Sequence, residues 1–227
     1  MFTCEHGGNR VPSAYALHFI GCSELLRSHR GFDAGALRLA REAARRFKAP
    51  LEAATVTRLL VDLNRSLTNR NVWSAQTRGL SVSRRQRIAQ QYYTPYRDRV
   101  DACVRQAVAS GHRVVHVSVH SFTPSLNGQP RVADIGLLYD PGRPGETALA
   151  ARWQRALRDD IPSLRVRRNY PYAGKNDGLT SSLRTQFSGD DYVGIEIELN
   201  QALTRGGLGA WKVIRQSVIT TLDSVLQ

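Results

Sequence analysis

Apolar and polar positions along the chain alternate in short strand-like runs, separated by longer stretches with helical spacing. Met1–Glu5 predicts a short first strand running into a loop at Gly7-Gly8-Asn9. Asp33–Phe47 places Leu37, Ala40, Ala44 and Phe47 on one helical face, with Asp33 positioned as the N-cap. Ala54–Leu63 is apolar and β-branched and predicts a buried strand. Ser83–Ala109 carries Ile88, Tyr92, Tyr96, Val100 and Cys103 at helical spacing, in a helix that Pro95 should kink or split. The clearest strand is Arg113–Val119, left at His120-Ser121. Ile135–Tyr139 predicts another strand, Ala148–Leu157 a helix, Gly194–Leu199 a late central strand and Ala210–Leu226 an amphipathic closing helix. Strands alternating with helices imply an α/β sheet covered on both faces, with functional residues gathered where strands end.

Length and composition narrow the class. At 227 residues the chain is expected to form a single domain over residues 1–227, and a hydrophobic fraction of 41% is ample for a buried core. No apolar run approaches the ~20 residues that cross a bilayer, so no membrane partner is expected. Cys4, Glu5 and His6 stand where a secretory leader would be, and Cys4, Cys22 and Cys103 are scattered and odd in number. Both features make the cytoplasm the expected location. The net charge of +13 rests almost wholly on arginine, because lysine occurs only at positions 48, 175 and 212. These arginines are spread along helices in short pairs such as Arg45-Arg46 and Arg84-Arg85. A polyelectrolyte binder usually carries a clustered run, so a nucleic acid is not the expected partner.

Four polar clusters sit at predicted strand ends: Glu5-His6-Gly7-Gly8-Asn9, Asp62-Leu63-Asn64-Arg65, His120-Ser121 and Glu196-Ile197-Glu198-Leu199-Asn200. Two rim histidines far apart in sequence, His6 and His120, together with a carboxylate, make the three-ligand set of a catalytic zinc that keeps one position open. His116 shares the parity of His120 and reads as a core histidine. Glu196 and Glu198 point to one face of a strand too apolar to be freely solvated, which suits one of them to proton transfer beside a metal. Arg65 has the chemistry to clamp a substrate carboxylate, with Asn64 adding a hydrogen bond and Asp62 orienting the pair; a capped turn tied by a salt bridge accounts for the same residues equally well.

The segments CEHGGNRVP, DAGAL, RLLVDLNRS, VHSFTP, ADIGLLYDP, NYPYAGKNDGLTSSLR and GIEIELN, in this order from Cys4 to about Leu203, resemble the N-formylglutamate amidohydrolase family. That family is similar, more distantly, to zinc carboxypeptidases and aspartoacylase. The resemblance implies a three-layer α/β/α fold around a central mixed sheet, with about one Zn2+ per chain. It assigns His6 and His120 to the metal, Glu198 to the catalytic base with Glu196 as the alternative, and Asn64 and Arg65 to the substrate carboxylate. Arg58 and Arg184 stand behind Arg65 as further substrate arginines. The wider superfamily has His-x-x-Glu for its first two ligands, whereas here Asn9 takes the fourth position. Asp33 is therefore the expected third ligand, with Asn9 and Glu5 as alternatives. The implied activity is cleavage of N-formyl-L-glutamate to formate and glutamate, with a small acidic substrate as the partner. The alternatives are a zinc hydrolase of another N-acyl amino acid or a peptide, and a basic relative that binds nucleic acid without catalysis. The sequence does not determine the oligomeric state.

Overall fold

The computed structural model describes residues 1–205 and 207–227. Its centre is a six-stranded sheet built from Phe2–Cys4 (β1), Leu51–Ala53 (β2), Val114–Phe122 (β3), Ile135–Leu138 (β6), Val166–Arg168 (β7) and Tyr192–Asn200 (β8). The order is β2-β1-β3-β8-β6-β7, and every neighbouring pair is parallel except the antiparallel β6 and β8. A two-stranded hairpin, Ser125–Leu126 (β4) with Gln129–Pro130 (β5), stands outside this sheet. The helices are Ser23–Arg27 (α1), Ala36–Phe47 (α2), Val82–Ile88 (α3), Thr94–Ala109 (α4), Pro144–Asp160 (α5), Leu179–Arg184 (α6), Gln201–Arg205 (α7) and Leu208–Leu226 (α8). None is long and apolar enough to cross a membrane.

Period-two side-chain alternation in β3 and β8 separates two cores. Val117, Val119, Ile195 and Ile197 face one way and pack with Leu39 and Ala40 of α2, Leu149 and Trp153 of α5, and Val218 and Leu222 of α8. Val114 and Tyr192, of opposite parity, join Ile88, Tyr96 and Val100 from α3 and α4, and Leu179 from α6. The result is the expected mixed sheet between two helical layers.

Two local expectations give way to tertiary packing, and a third, the split of the long helix near Pro95, holds. Ala54–Leu63 is not a strand: Val56 makes one isolated parallel bridge to Arg10, and the chain then turns. Leu59, Leu60, Val61 and Leu63 are all buried in the second core, so the run is apolar because it is enclosed on both sides. An apolar run of that length does not by itself distinguish a strand from a buried turn. The Thr57 hydroxyl holds the turn by donating to the Gly31 carbonyl and accepting from the Leu59 amide.

Asp33 does not cap α2. Gly35 is the N-cap, in a left-handed conformation (φ 85°) that puts its Cα against Thr204 and Trp211, where a Cβ would lie 2.5 Å from Thr204 Cγ2. The Asp33 carboxylate is thereby free to turn inward. The long helix is split by a π-helical segment at Ala89–Tyr93, and Pro95 falls in the first turn of α4. A wide turn just before a proline absorbs the missing N–H and the ring's clash with the preceding turn.

Candidate metal and active site

The polar face of the central strands carries the site. Parallel pairing of β3 with β8 sets Ser118 beside Glu196 and His120 beside Glu198, so all four project from the same side of the sheet. Glu5 and His6 follow β1, the neighbouring strand, and the Asp33 amide donates to the His6 carbonyl at 2.8 Å. That bond draws the segment before α2 across the strand ends. Asp33 Oδ2 then lies 2.8 Å from His120 Nδ1 and 3.4 Å from His6 Nδ1. Donor atoms of His6, Asp33 and His120 all fall within 4.8 Å of one another, a span that bonds of ~2 Å to one divalent cation would draw together.

The far nitrogen of each imidazole is held by a second carboxylate. His6 Nε2 donates to Asp62 Oδ1 at 2.7 Å. His120 Nε2 lies 2.9 Å from Glu5 Oε2, which also accepts from the Ser118 hydroxyl, while Tyr96 donates to Glu5 Oε1. Such partners fix ring orientation and tautomer, so that both Nδ1 atoms converge on the same point. Burial by itself would raise the pKa values of Glu5, Asp33 and Asp62; bonds and charges from His120, His6 and Arg58 outweigh it and hold all three well below the usual carboxylate range. Burial would likewise lower both histidines, yet their carboxylate neighbours raise them.

Glu198 is the exception. Burial raises its pKa to about 8; the charge of His120 opposes this, and the charges of Asp33 and Glu196 reinforce it. Its Oε2 is buried with no hydrogen-bond partner. Glu196 is engaged by the Thr180 hydroxyl, which donates to its Oε1 at 2.5 Å.

These groups open into a cleft of about 350 Å³ whose lining includes His6, Asp33, Arg58, His120, Glu196 and Glu198. Asn64 and Arg65 also line it, so the cleft collects every sequence-derived site residue except Arg184 and the two alternative ligands Asn9 and Glu5. Arg184 is the correction. Its buried guanidinium pairs with the fully buried Glu146 at 2.9 Å and donates to the carbonyls of Gly174 and Gly194. It ties the loop before α6 to β8 and does not reach the cleft. Two further details differ from expectation. Asp62 pairs with Arg58, four residues before it, while Arg65 donates to the Asp177 carbonyl. Asp62 and its neighbours also sit in a turn and not at a strand end.

Of the three contenders for the third donor, only Asp33 stands between the imidazoles. Asn9 gives its amide N–H to the Leu26 carbonyl, and Glu5 lies behind His120 on the Nε2 side. His116 is a core residue, as its parity implies: fully buried, between the Thr3 and Tyr192 hydroxyls. Sequence reasoning missed the roles of Glu5 and Asp62 as histidine partners, and it missed Arg131 in the cleft wall. Arg131 had a signal, because Asn127-Gly128 is a strong two-residue hairpin turn that places the residues following it.

The fold and the sequence have known counterparts. Gene product Atu2144 from Agrobacterium tumefaciens is 28% identical, with a TM-score of 0.81 over 100% of this chain and 89% of that one. N-formylglutamate amidohydrolase from Ralstonia eutropha JMP134 has the same fold at 23% identity, with a TM-score of 0.73 over 99% of this chain and 92% of that one. Among curated proteins no sequence matches. Residues 1–204 match the family described as N-formylglutamate amidohydrolase, which covers all the groups that converge on the cleft. The chain belongs to the N-formylglutamate amidohydrolase family.

Proposed function

We propose that this chain is a zinc-dependent amidohydrolase that cleaves N-formyl-L-glutamate to formate and glutamate. One observation carries the reading: a His/Asp/His donor set and a buried carboxylate with an unpartnered oxygen share one small cleft. The donors suit zinc, since two imidazole nitrogens and one carboxylate oxygen are the usual protein ligands of a catalytic site. His6 Nδ1, His120 Nδ1 and an Asp33 oxygen would hold the ion, and when bound it supplies Lewis acidity toward a carbonyl and a water molecule.

The chain's own groups do the rest. Glu5 and Asp62 keep the two imidazoles aimed inward. The Glu198 carboxylate accepts a proton from the attacking water and returns it to the leaving amine. Burial matches Glu198 to this exchange, because a carboxyl that titrates near neutral pH both takes and gives a proton there. Thr180 holds Glu196, leaving Glu198 as the free base of the pair. Arg58, Arg65 and Asn64 present N–H donors in the cleft to an anionic substrate.

Metal analysis coupled to a hydrolysis screen tests the proposal. The expected result is about one zinc per chain, with N-formyl-L-glutamate cleaved faster than N-acetyl-L-glutamate or a dipeptide, and activity lost to a chelator and restored by zinc. A zinc-loaded chain that leaves all three substrates intact would sink it.

A further inference from the structure

Four arginines line the cleft; Arg30 is exposed, and the situations of the other three differ. Arg58 is committed to carboxylates of the chain itself, with Nη2 2.5 Å from Asp62 and Nη1 3.6 Å from Asp33. Arg65 gives Nη1 to the Asp177 carbonyl. Arg131 is placed differently. Among the described residues no carboxylate or carbonyl accepts from its guanidinium, and its Nη1 is fully enclosed without a partner. The group lies instead against two aromatic rings, 5.6 Å from the Phe122 centroid and 5.0 Å from the Tyr172 centroid.

The backbone that presents Arg131 is tied down by a hairpin and two hydrogen bonds. The β4–β5 hairpin turns at Asn127 and Gly128, both with positive φ, and ends one residue before it. The Arg131 amide donates to the Pro124 carbonyl, and the Val132 amide donates to the Tyr170 hydroxyl. Phe122 is the last residue of β3, two beyond His120, so this wall belongs to the same strand as the metal-facing histidine. The loop carrying Tyr172 is pressed onto the end of β6, where a Cβ on Gly174 would lie 2.1 Å from the Tyr139 nitrogen. Arginine seated against two rings, with Nη1 enclosed and Nε and Nη2 neither enclosed nor bonded among the described residues, is set up to offer that open edge to a planar bidentate acceptor. A ligand carboxylate on the open edge would give the guanidinium the acceptor that the fold does not supply.

We propose that Arg131 is the specificity residue of this cleft and takes the side-chain carboxylate of the acidic substrate. The assignment rests on the proposed acidic N-acyl amino acid reading. The scissile amide must reach Glu198 and the His6/Asp33/His120 set, and the aromatic wall with Arg131 lines the same cleft, open to the carboxylate at the far end of the substrate side chain.

The test compares the zinc-loaded wild type with Arg131→Met, which keeps length and ring contact, and Arg131→Lys, which keeps charge but not the planar fork. Each is assayed on N-formyl-L-glutamate and on its neutral isostere N-formyl-L-glutamine. Glutamate and glutamine binding is followed by calorimetry, which needs no turnover. The wild type should favour the acid in both assays. Arg131→Met should erase about 10- to 100-fold of that preference, mainly through KM, with Arg131→Lys in between. A wild type that favours the acid and an Arg131→Met protein that favours it equally would overturn the proposal alone. A wild type indifferent between acid and amide in both measurements would overturn the acidic-substrate reading and this proposal with it.

Discussion

On one face of β3 and β8, Val117, Val119, Ile195 and Ile197 pack under α2, α5 and α8; on the other, Ser118, His120, Glu196 and Glu198 occupy the alternate positions. All eight are buried. The apolar face is stabilised by removal of hydrocarbon from water and tolerates any well-fitting side chain. The polar face holds ionisable groups at equal depth, and burial of each is tolerable only with a partner. Glu5, Asp62, Arg58, Thr180 and Ser118 supply those partners. Among the described residues the one buried carboxylate oxygen without a partner, on Glu198, marks where the stability requirement is relaxed, at the proposed base.

Substitutions on the two faces should separate these roles. The largest effect belongs to the polar face: His120→Ala should remove both zinc and turnover, whereas Glu198→Gln should retain zinc and lower kcat by about 10²- to 10⁴-fold. Metal analysis beside steady-state kinetics reads both, and near-normal kcat in Glu198→Gln would transfer the base role to Glu196. Next comes the apolar face, where Ile197→Ala should cost about 2–5 kcal/mol in urea unfolding while the folded protein keeps its zinc. Equal loss of stability and of zinc affinity would mean that the faces are not separable. Glu5→Gln keeps the shape of the partner behind His120 but not its charge, and should weaken zinc binding about 10- to 100-fold, read by competition with a chelator. Unaltered affinity would reduce Glu5 to a packing group.

The smallest effect is a pH slope. His116, on the polar face but away from the cleft, is depressed by burial to about 3. The folded chain keeps it neutral where the unfolded chain, with an ordinary value near 6.5, takes a proton. Its contribution is therefore intact above about pH 6.5 and is lost as pH falls from there toward 3. Between pH 6.5 and 5 the wild type should lose stability faster than His116→Gln, by up to about 1.4 kcal/mol per pH unit. Parallel slopes in urea titrations would contradict this account.

Alternation made much of this architecture legible. VVHVSVHSF and YVGIEIELN write both faces of the central strands in plain period-two form, and the pairing of His120 with Glu198 follows once the two lie side by side. Asp33 was legible as a third donor only through the resemblance, since helical propensity alone makes it an N-cap. Ala54–Leu63 misled because double-sided burial produces the same apolar run as a central strand.

The sequence by itself therefore determined the strand faces, the two rim histidines and the acidic pair beside them, because each follows from a short local period. The allocation of arginines was decided only by the tertiary structure. Arg58 meets Asp62 four residues away, a pairing that spacing allows, but Arg184 finds Glu146 38 residues back, and Arg131 meets Tyr172 only when a hairpin and a distant loop close on each other. A guanidinium is neutralised by whichever acceptor the fold brings near, so a free arginine cannot be told from a committed one until the chain is packed.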